Sequence, residues 1–204
     1  IKKFKIPKHK IFHINNPIMF YHQNVKENTI NHYNKKIINF LSIGRLTEQK
    51  NYKFLIESFA KIKHHNFIVN IYGEGSELGK LNKIIKSNCL EEKIFIRKNI
   101  LNIKIAYENS NILVVTSKWE GMSNVILEAL FCGLIVICST TSGAINDLIS
   151  NFSKQIIIYK DQNDFVKILS DLTSSNLIKK RIVNIPQNYN NIQIKDQYLK
   201  LFKN

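Results

Sequence analysis

Residues 114–136 read VVTSKWEGMSNVILEALFCGLIV. With the preceding Ile112 and Leu113 they open as a β-branched, apolar run (112–116) that predicts a short buried strand. A polar turn through Gly121 follows, and the apolar stretch after it is long enough for three helical turns before Gly133 stops it. Strand, loop and helix in that order are the unit of a parallel α/β sheet, where ligands bind outside the carboxyl ends of the strands. Two carboxylates lie in this unit, Glu120 in the loop and Glu128 within the helix. Glu128 has Val125, Ile126, Leu127, Ala129, Leu130, Phe131 and Cys132 around it, so it has no polar face to share. Burying an unpaired charge is costly, and Glu128 therefore calls for a partner, either a protein cation or a ligand hydroxyl. The unpaired amides of the helix start, around Met122, Ser123, Asn124 and Val125, join the positive end of the helix dipole to form a seat for a phosphate or a sugar.

The same alternation extends on both sides. Residues 37–44, IINFLSIG, form a buried-strand pattern, and 51–62 follow with Phe54, Leu55, Phe59 and Ile62 at helical spacing. The loop between them holds Arg45 and Lys50 just after Gly44. Glycine lets a backbone come close to a ligand, and two cations at a strand's carboxyl end suit a diphosphate, though such cations also occur simply as solvated loop charges. Further strands are expected at 67–72, 93–97, 134–138 and 155–159, with helices at 76–88, 103–109 and 161–172, the last capped by Asp161. Residues 10–14 are a short strand candidate in an otherwise basic, broken segment, 1–36. The tail IQIKDQYLKLF, within 186–204, reads as a final helix with Ile194, Tyr198 and Leu201 on one face. The whole implies an α/β, Rossmann-like, doubly wound parallel sheet over 37–185 with helices on both faces.

A chain of 204 residues with 44% hydrophobic residues can bury one such domain's core. No stretch is apolar for long enough to span a bilayer, and the first ten residues lack the apolar centre of a signal peptide. Cys89, Cys132 and Cys138 have no C-x-x-C spacing and read as reduced core thiols, which fits a cytoplasmic compartment. His9, His13, His22, His32, His64 and His65 form no ligand set, so no metal site is assigned. The formal charge of +15, from 30 basic against 15 acidic residues, attracts anions such as nucleotides and anionic headgroups. The abundance of Ile, Lys and Asn also fits plain compositional drift, and no nucleic-acid-binding motif accompanies the charge.

The pattern E-G-M-S-N-V-I-L-E-A-L-F-C-G, residues 120–133, resembles the E-x7-E signature of the family 4 (group 1) retaining glycosyltransferases, which have the GT-B fold. G-R-L-x-x-x-K, residues 44–50, is similar to the family's pyrophosphate clamp, with Asn51 where glycine usually follows the lysine; asparagine tolerates the same left-handed backbone. Gly73-Glu74-Gly75 resembles the family's G-x-G near the donor pocket, although a strand-to-helix turn that needs two glycines accounts for it equally well. KIFHINNPIMF, residues 10–20, resembles the opening of the nucleotide-binding half, and GAINDLI, residues 143–149, a later segment with Asp147 in place of a glutamate and Asn146 in place of a proline. The family's Asn-Gly before the last strand is replaced by Ser153-Lys154, and its proline before the fifth strand by Leu134. Where the family often has glycine against the nucleotide base, this chain has Arg97-Lys98-Asn99, so side chains stand near the base.

The resemblance covers nearly the whole chain as the C-terminal half of a two-domain enzyme. It implies that an acceptor-binding N-terminal domain lies outside a sequence that begins at Ile1. It implies Arg45 and Lys50 on the diphosphate, Glu128 on the ribose, and Glu120 facing the transferred sugar, with no cofactor and no metal. It also implies a UDP-sugar donor and a glycan or glycolipid acceptor of a bacterial surface polysaccharide. The basic surface suits peripheral association at the inner face of the cell membrane. The isolated chain is expected to bind donor without turning it over. The competing readings are a donor-binding module serving a separate partner chain, a non-catalytic anion-binding α/β domain, and a basic nucleic-acid-binding protein.

Overall fold

The structure, a computed structural model, describes residues 37–98, 102–121, 123–140, 145–175 and 191–202, together with residues 7, 11, 12, 14, 16 and 189. Six strands, β1 (Ile38–Ile43), β2 (Phe67–Tyr72), β3 (Ile94–Arg97), β4 (Ile112–Val115), β5 (Ile135–Ser139) and β6 (Ile156–Tyr159), form one sheet in the order β3-β2-β1-β4-β5-β6. Every neighbouring pair is parallel. The helices between them are α1 (Tyr52–Ala60), α2 (Leu78–Ser87), α3 (Lys104–Glu108), α4 (Asn124–Phe131), α5 (Ile145–Phe152) and α6 (Gln162–Ser174); α7 (Asn191–Phe202) ends the chain.

The strand sequences explain why both faces are covered. All four residues of β4, Ile112 to Val115, are buried, which only a strand sandwiched between two helical layers can satisfy. On one face Phe40, Val69, Ile71 and Val114 pack against Leu55 and Phe59 of α1, Leu81 of α2 and Phe165 of α6. The Phe40 and Phe59 rings meet edge to face at 4.9 Å, each fully buried, and burial of such a side chain contributes about 1.5–3 kcal/mol. On the other face Leu41, Leu113, Val136 and Cys138 pack against Tyr107 of α3, Leu127 and Leu130 of α4, and Leu148 of α5. β1 and β4 are further tied by Ser42 Oγ donating to the Val114 carbonyl at 2.8 Å and by the Asn111 amide donating to the Asn39 carbonyl at 2.8 Å.

Several expectations need correction. α4 has eight residues, two turns rather than three, because it starts only at Asn124 and ends at Phe131; Gly133 stops it as expected, with a left-handed backbone at φ 76° that turns the chain into β5. Cys89 is exposed rather than a core thiol; it is the residue just past α2 where the chain reverses, at φ 54°. Of the strand candidate at 10–14, the described residues Ile11, Phe12 and Ile14 are in no strand, and Phe12 at 65% exposure has little apolar surface to pair against. The rest of that candidate, most of 1–36, and the histidines at 9, 13, 22 and 32 lie outside the described residues. α5 was not anticipated, although Ile145, Leu148 and Phe152 recur at helical spacing and are buried. Asp161 caps α6 as expected, accepting from the Asp164 amide at 2.9 Å. In α7, Ile194 is buried while Ile192, Tyr198, Leu199 and Phe202 are exposed, so the helix leaves apolar surface uncovered.

Candidate functional site at the sheet's switch point

The chain runs from β1 to β2 in one direction along the sheet, and β4 returns to lie on β1's other side. Between β1 and β4 the connections diverge, opening a crevice at the carboxyl ends, where open α/β sheets bind ligands. Ser42, Lys50, Tyr52, Ser117, Glu120 and Ser123 are among the residues that line it. The first loop leaves β1 through Gly44 and forms a 3-10 turn over Glu48–Lys50. It then passes Asn51 at φ 54°, ψ 41°, the left-handed conformation expected of that asparagine. The second loop joins β4 to α4.

Hydrogen bonds staple the two loops together across about seventy residues of sequence. The Lys118 amide donates to the Gln49 carbonyl at 2.8 Å, Gln49 Nε2 to the Trp119 carbonyl at 2.9 Å, and Thr116 Oγ1 to the Lys50 carbonyl at 2.9 Å. At the centre Lys50 Nζ forms an ion pair with Glu120 Oε1, which also accepts from Ser117 Oγ at 2.7 Å. The Glu120 side chain is only 7% exposed. Burial acts to raise its pKa, but the hydrogen bond and charge of Lys50, with hydrogen bonds from Ser117 and Ser123, outweigh it and hold the carboxyl below its ordinary value. Beneath it, burial and the Glu120 charge push the Cys138 thiol up to about 12. Burial likewise raises Tyr52, whose hydroxyl donates to the Gly44 carbonyl at 3.2 Å.

Glu128 is in a different setting. No protein cation pairs with it among the described residues; Tyr107, fully buried on α3, donates its phenol to Glu128 Oε2 at 2.6 Å. Burial pushes the Glu128 carboxyl above its ordinary value, and the Tyr107 bond pulls it partly back. The sequence demanded a partner of Glu128 and offered a cation or a ligand; Tyr107 is a third kind, a neutral donor.

The glycines divide by what surrounds them. A Cβ on Gly73 would stand 1.9 Å from the Gly44 carbonyl oxygen, and one on Gly75 2.4 Å from that of Leu46. Both are therefore demanded by the packing of the β2–α2 turn under the first loop, which the Leu46 amide also fastens to the Glu74 carbonyl at 2.8 Å. Gly44, at φ +157°, lies against Lys50 and Tyr52. Gly121 is the contrast, since a Cβ there would meet nothing within 4 Å.

Lys50, Glu120, Ser123 and Val125 thus share one crevice, with Gly44 beside it. Ser123 precedes α4 without capping it, so the helix's first-turn amides have no side-chain acceptor there. Asn124 opens α4 and accepts from Asn16 Nδ2 at 2.6 Å. Arg45 is exposed and outside the lining. Arg97 ends β3, two strands away from the crevice, with Nε donating to Asn70 Oδ1 at 2.7 Å and its guanidinium 5.3 Å from the Phe95 ring. Met122 lies outside the described residues. Sequence reasoning missed Ser117, Tyr52 and Tyr107. The polar residue at the end of an apolar strand was the available signal for Ser117, whereas nothing local marks the other two.

This sheet order and its flanking helices are those of the Rossmann-like domains of GT-B glycosyltransferases. A TarM variant from S. aureus, crystallised with UDP among its ligands, superposes with a TM-score of 0.81 at 23% identity, over all of this chain and 41% of that one. The profile of the glycosyl transferases group 1 family matches residues 23–188, and the chain belongs to that family. It is 31% identical over 182 residues to an E. coli UDP-Gal:alpha-D-GlcNAc-diphosphoundecaprenol alpha-1,3-galactosyltransferase, covering 81% of this chain and 46% of that protein. It is 26% identical over 170 residues to the amylovoran biosynthesis glycosyltransferase AmsD of Erwinia amylovora, covering 83% and 48% respectively. The chain spans about half the length of these curated relatives.

Proposed function

We propose that this chain is the donor-binding half of a retaining glycosyltransferase of family 4, acting on a nucleoside diphosphate sugar. The observation that carries the reading is the Lys50–Glu120 pair at the switch point, beside the start of α4. The chemical difficulty of the transfer is charge: the diphosphate departs as the anomeric carbon becomes cationic. Lys50, with the exposed Arg45 of the same loop, stabilises the departing phosphates, assisted by the amides of α4. As phosphate oxygens take Lys50, the Glu120 carboxylate is released toward the sugar and its developing positive charge. Glu128 accepts hydrogen bonds from the ribose. Protein cations and amides do this work, so no divalent metal is required.

The donor base favoured is uracil, on the relative whose name specifies UDP-Gal and on the structural neighbour that holds UDP. The acceptor class is a lipid-linked or polysaccharide glycan, as the names of the E. coli and Erwinia relatives indicate for those proteins. Among the described residues no helix is long and apolar enough to cross a membrane. The +15 charge supports peripheral association with anionic headgroups on the cytoplasmic side.

Calorimetric titration with UDP, GDP and ADP, with and without EDTA, tests this reading. The expected result is binding of one diphosphate, unchanged by EDTA. Binding of none of the three overturns the donor assignment, and binding lost in EDTA overturns the metal-free mechanism.

A further inference from the structure

Glu128 sits half-buried in an apolar helix, and among the described residues no cation stands beside it. Among the described residues its only side-chain hydrogen bond is from Tyr107, and it is to Oε2, leaving Oε1 without a protein donor. A cation would have neutralised the group. A phenol does not; it fixes the carboxylate's orientation while leaving its charge for another donor. The bond is long-range, joining α3 to α4, and Tyr107 is fully buried, so it occupies a fixed position from which to hold the carboxylate.

Resting on the donor reading above, we propose that Tyr107 is a positioning residue for nucleotide recognition: by holding Glu128 Oε2 it leaves Oε1 as the acceptor for a ribose hydroxyl. The same bond opposes the effect of burial, which is the larger, and so favours the ionised, acceptor-only form of Glu128. Among the described residues the titratable groups near it are Tyr107 on α3 and Cys132 just past the end of α4, which acts on Tyr107; no charged side chain among them shifts Glu128 itself. Loss of the phenol therefore has two consequences, a looser carboxylate and one that takes up a proton more readily.

The test is calorimetric titration of the wild-type protein and Tyr107→Phe with UDP and with 2′,3′-dideoxy-UDP, from about pH 5 to about pH 8. The analogue carries the same phosphates, so its pH profile isolates the contribution of the ribose hydroxyls. Tyr107→Phe is expected to weaken UDP about tenfold at neutral pH and to move the acid limb of binding to higher pH, while the analogue changes less than about twofold. In a Glu128→Gln background Tyr107→Phe is expected to add nothing, as for two residues acting through one interaction. Equal losses for UDP and the analogue, or an acid limb that does not move, overturn the inference while leaving the donor reading intact. Failure of the wild-type protein to bind UDP, GDP or ADP overturns both.

Discussion

Glu120 and Glu128 belong to one loop-and-helix unit, yet they are treated oppositely. Glu120 is nearly inaccessible and held by a cation and two hydroxyls, which keep it a better acid than usual. Glu128 is half-buried with, among the described residues, one neutral side-chain donor, and burial makes it a weaker acid than usual. Environments that drive two carboxyl groups apart divide their roles. In the proposed reading the first, compensated inside the protein, is released when a ligand takes its cation, and the second, with one side-chain donor among the described residues, accepts from the ligand.

The largest way to break this contrast is to remove the cation. Lys50→Met strands a buried carboxylate and is expected to cost about 3 kcal/mol in urea denaturation, most of which Lys50→Met/Glu120→Gln should recover. The same substitution should weaken UDP about 100-fold and uridine hardly at all; equal losses for both would count against a diphosphate on Lys50. Next in size are the glycines. Gly73→Ala drives a methyl group into the Gly44 carbonyl and should cost about 2–3 kcal/mol, whereas Gly121→Ala should leave stability unchanged and weaken UDP about tenfold. A stability loss in Gly121→Ala comparable to that in Gly73→Ala would remove the distinction.

The pH dependence of the melting temperature sharpens the comparison further. Glu120, with its folded pKa lowered, contributes stability that is present above its unfolded value of 4.5 and is lost as pH falls through the lower folded value. Glu128, with its folded pKa raised, carries a penalty at neutral pH that is relieved as pH falls through that raised value toward 4.5. Mild acidification of the ligand-free protein is therefore expected to raise its melting temperature slightly before strong acid lowers it. Glu128→Gln should abolish the rise and Glu120→Gln should blunt the fall. The smallest effect expected is that of Asn51→Gly, within about 0.5 kcal/mol, because both residues accept the left-handed backbone behind Lys50.

The parallel, doubly wound sheet and the placing of the site at the carboxyl ends of its strands were legible because the strands are largely apolar, although Asn39, Ser42, Asn70 and Arg97 interrupt them; the strand order was not read from the sequence. Ile112 to Val115, buried on all four positions, is the plainest case. Arg45 and Lys50 were legible as a pair of cations but not as unequal ones: the 3-10 turn directs Lys50 into the crevice, while Arg45 stays exposed. The partners of the glutamates were not legible. Lys50 meets Glu120 only because β4 inserts beside β1, and Tyr107 meets Glu128 only through the packing of α3 beside α4. α5 escaped notice because Asn146 and Asp147 suggest a turn, although Ile145, Leu148, Ile149 and Phe152 recur at helical spacing.

The staple between the two loops also has a meaning in time. During synthesis β1, β2 and β3 are complete before β4 emerges, and until then β1 keeps one edge of unpaired amides and carbonyls. A nascent chain at that stage is a three-stranded half-sheet with an adhesive margin, the kind of intermediate that chaperones retain and that aggregates when they do not. Insertion of β4 closes that margin and in the same movement brings Glu120 to Lys50. The crevice cannot form before β1 has lost that open edge.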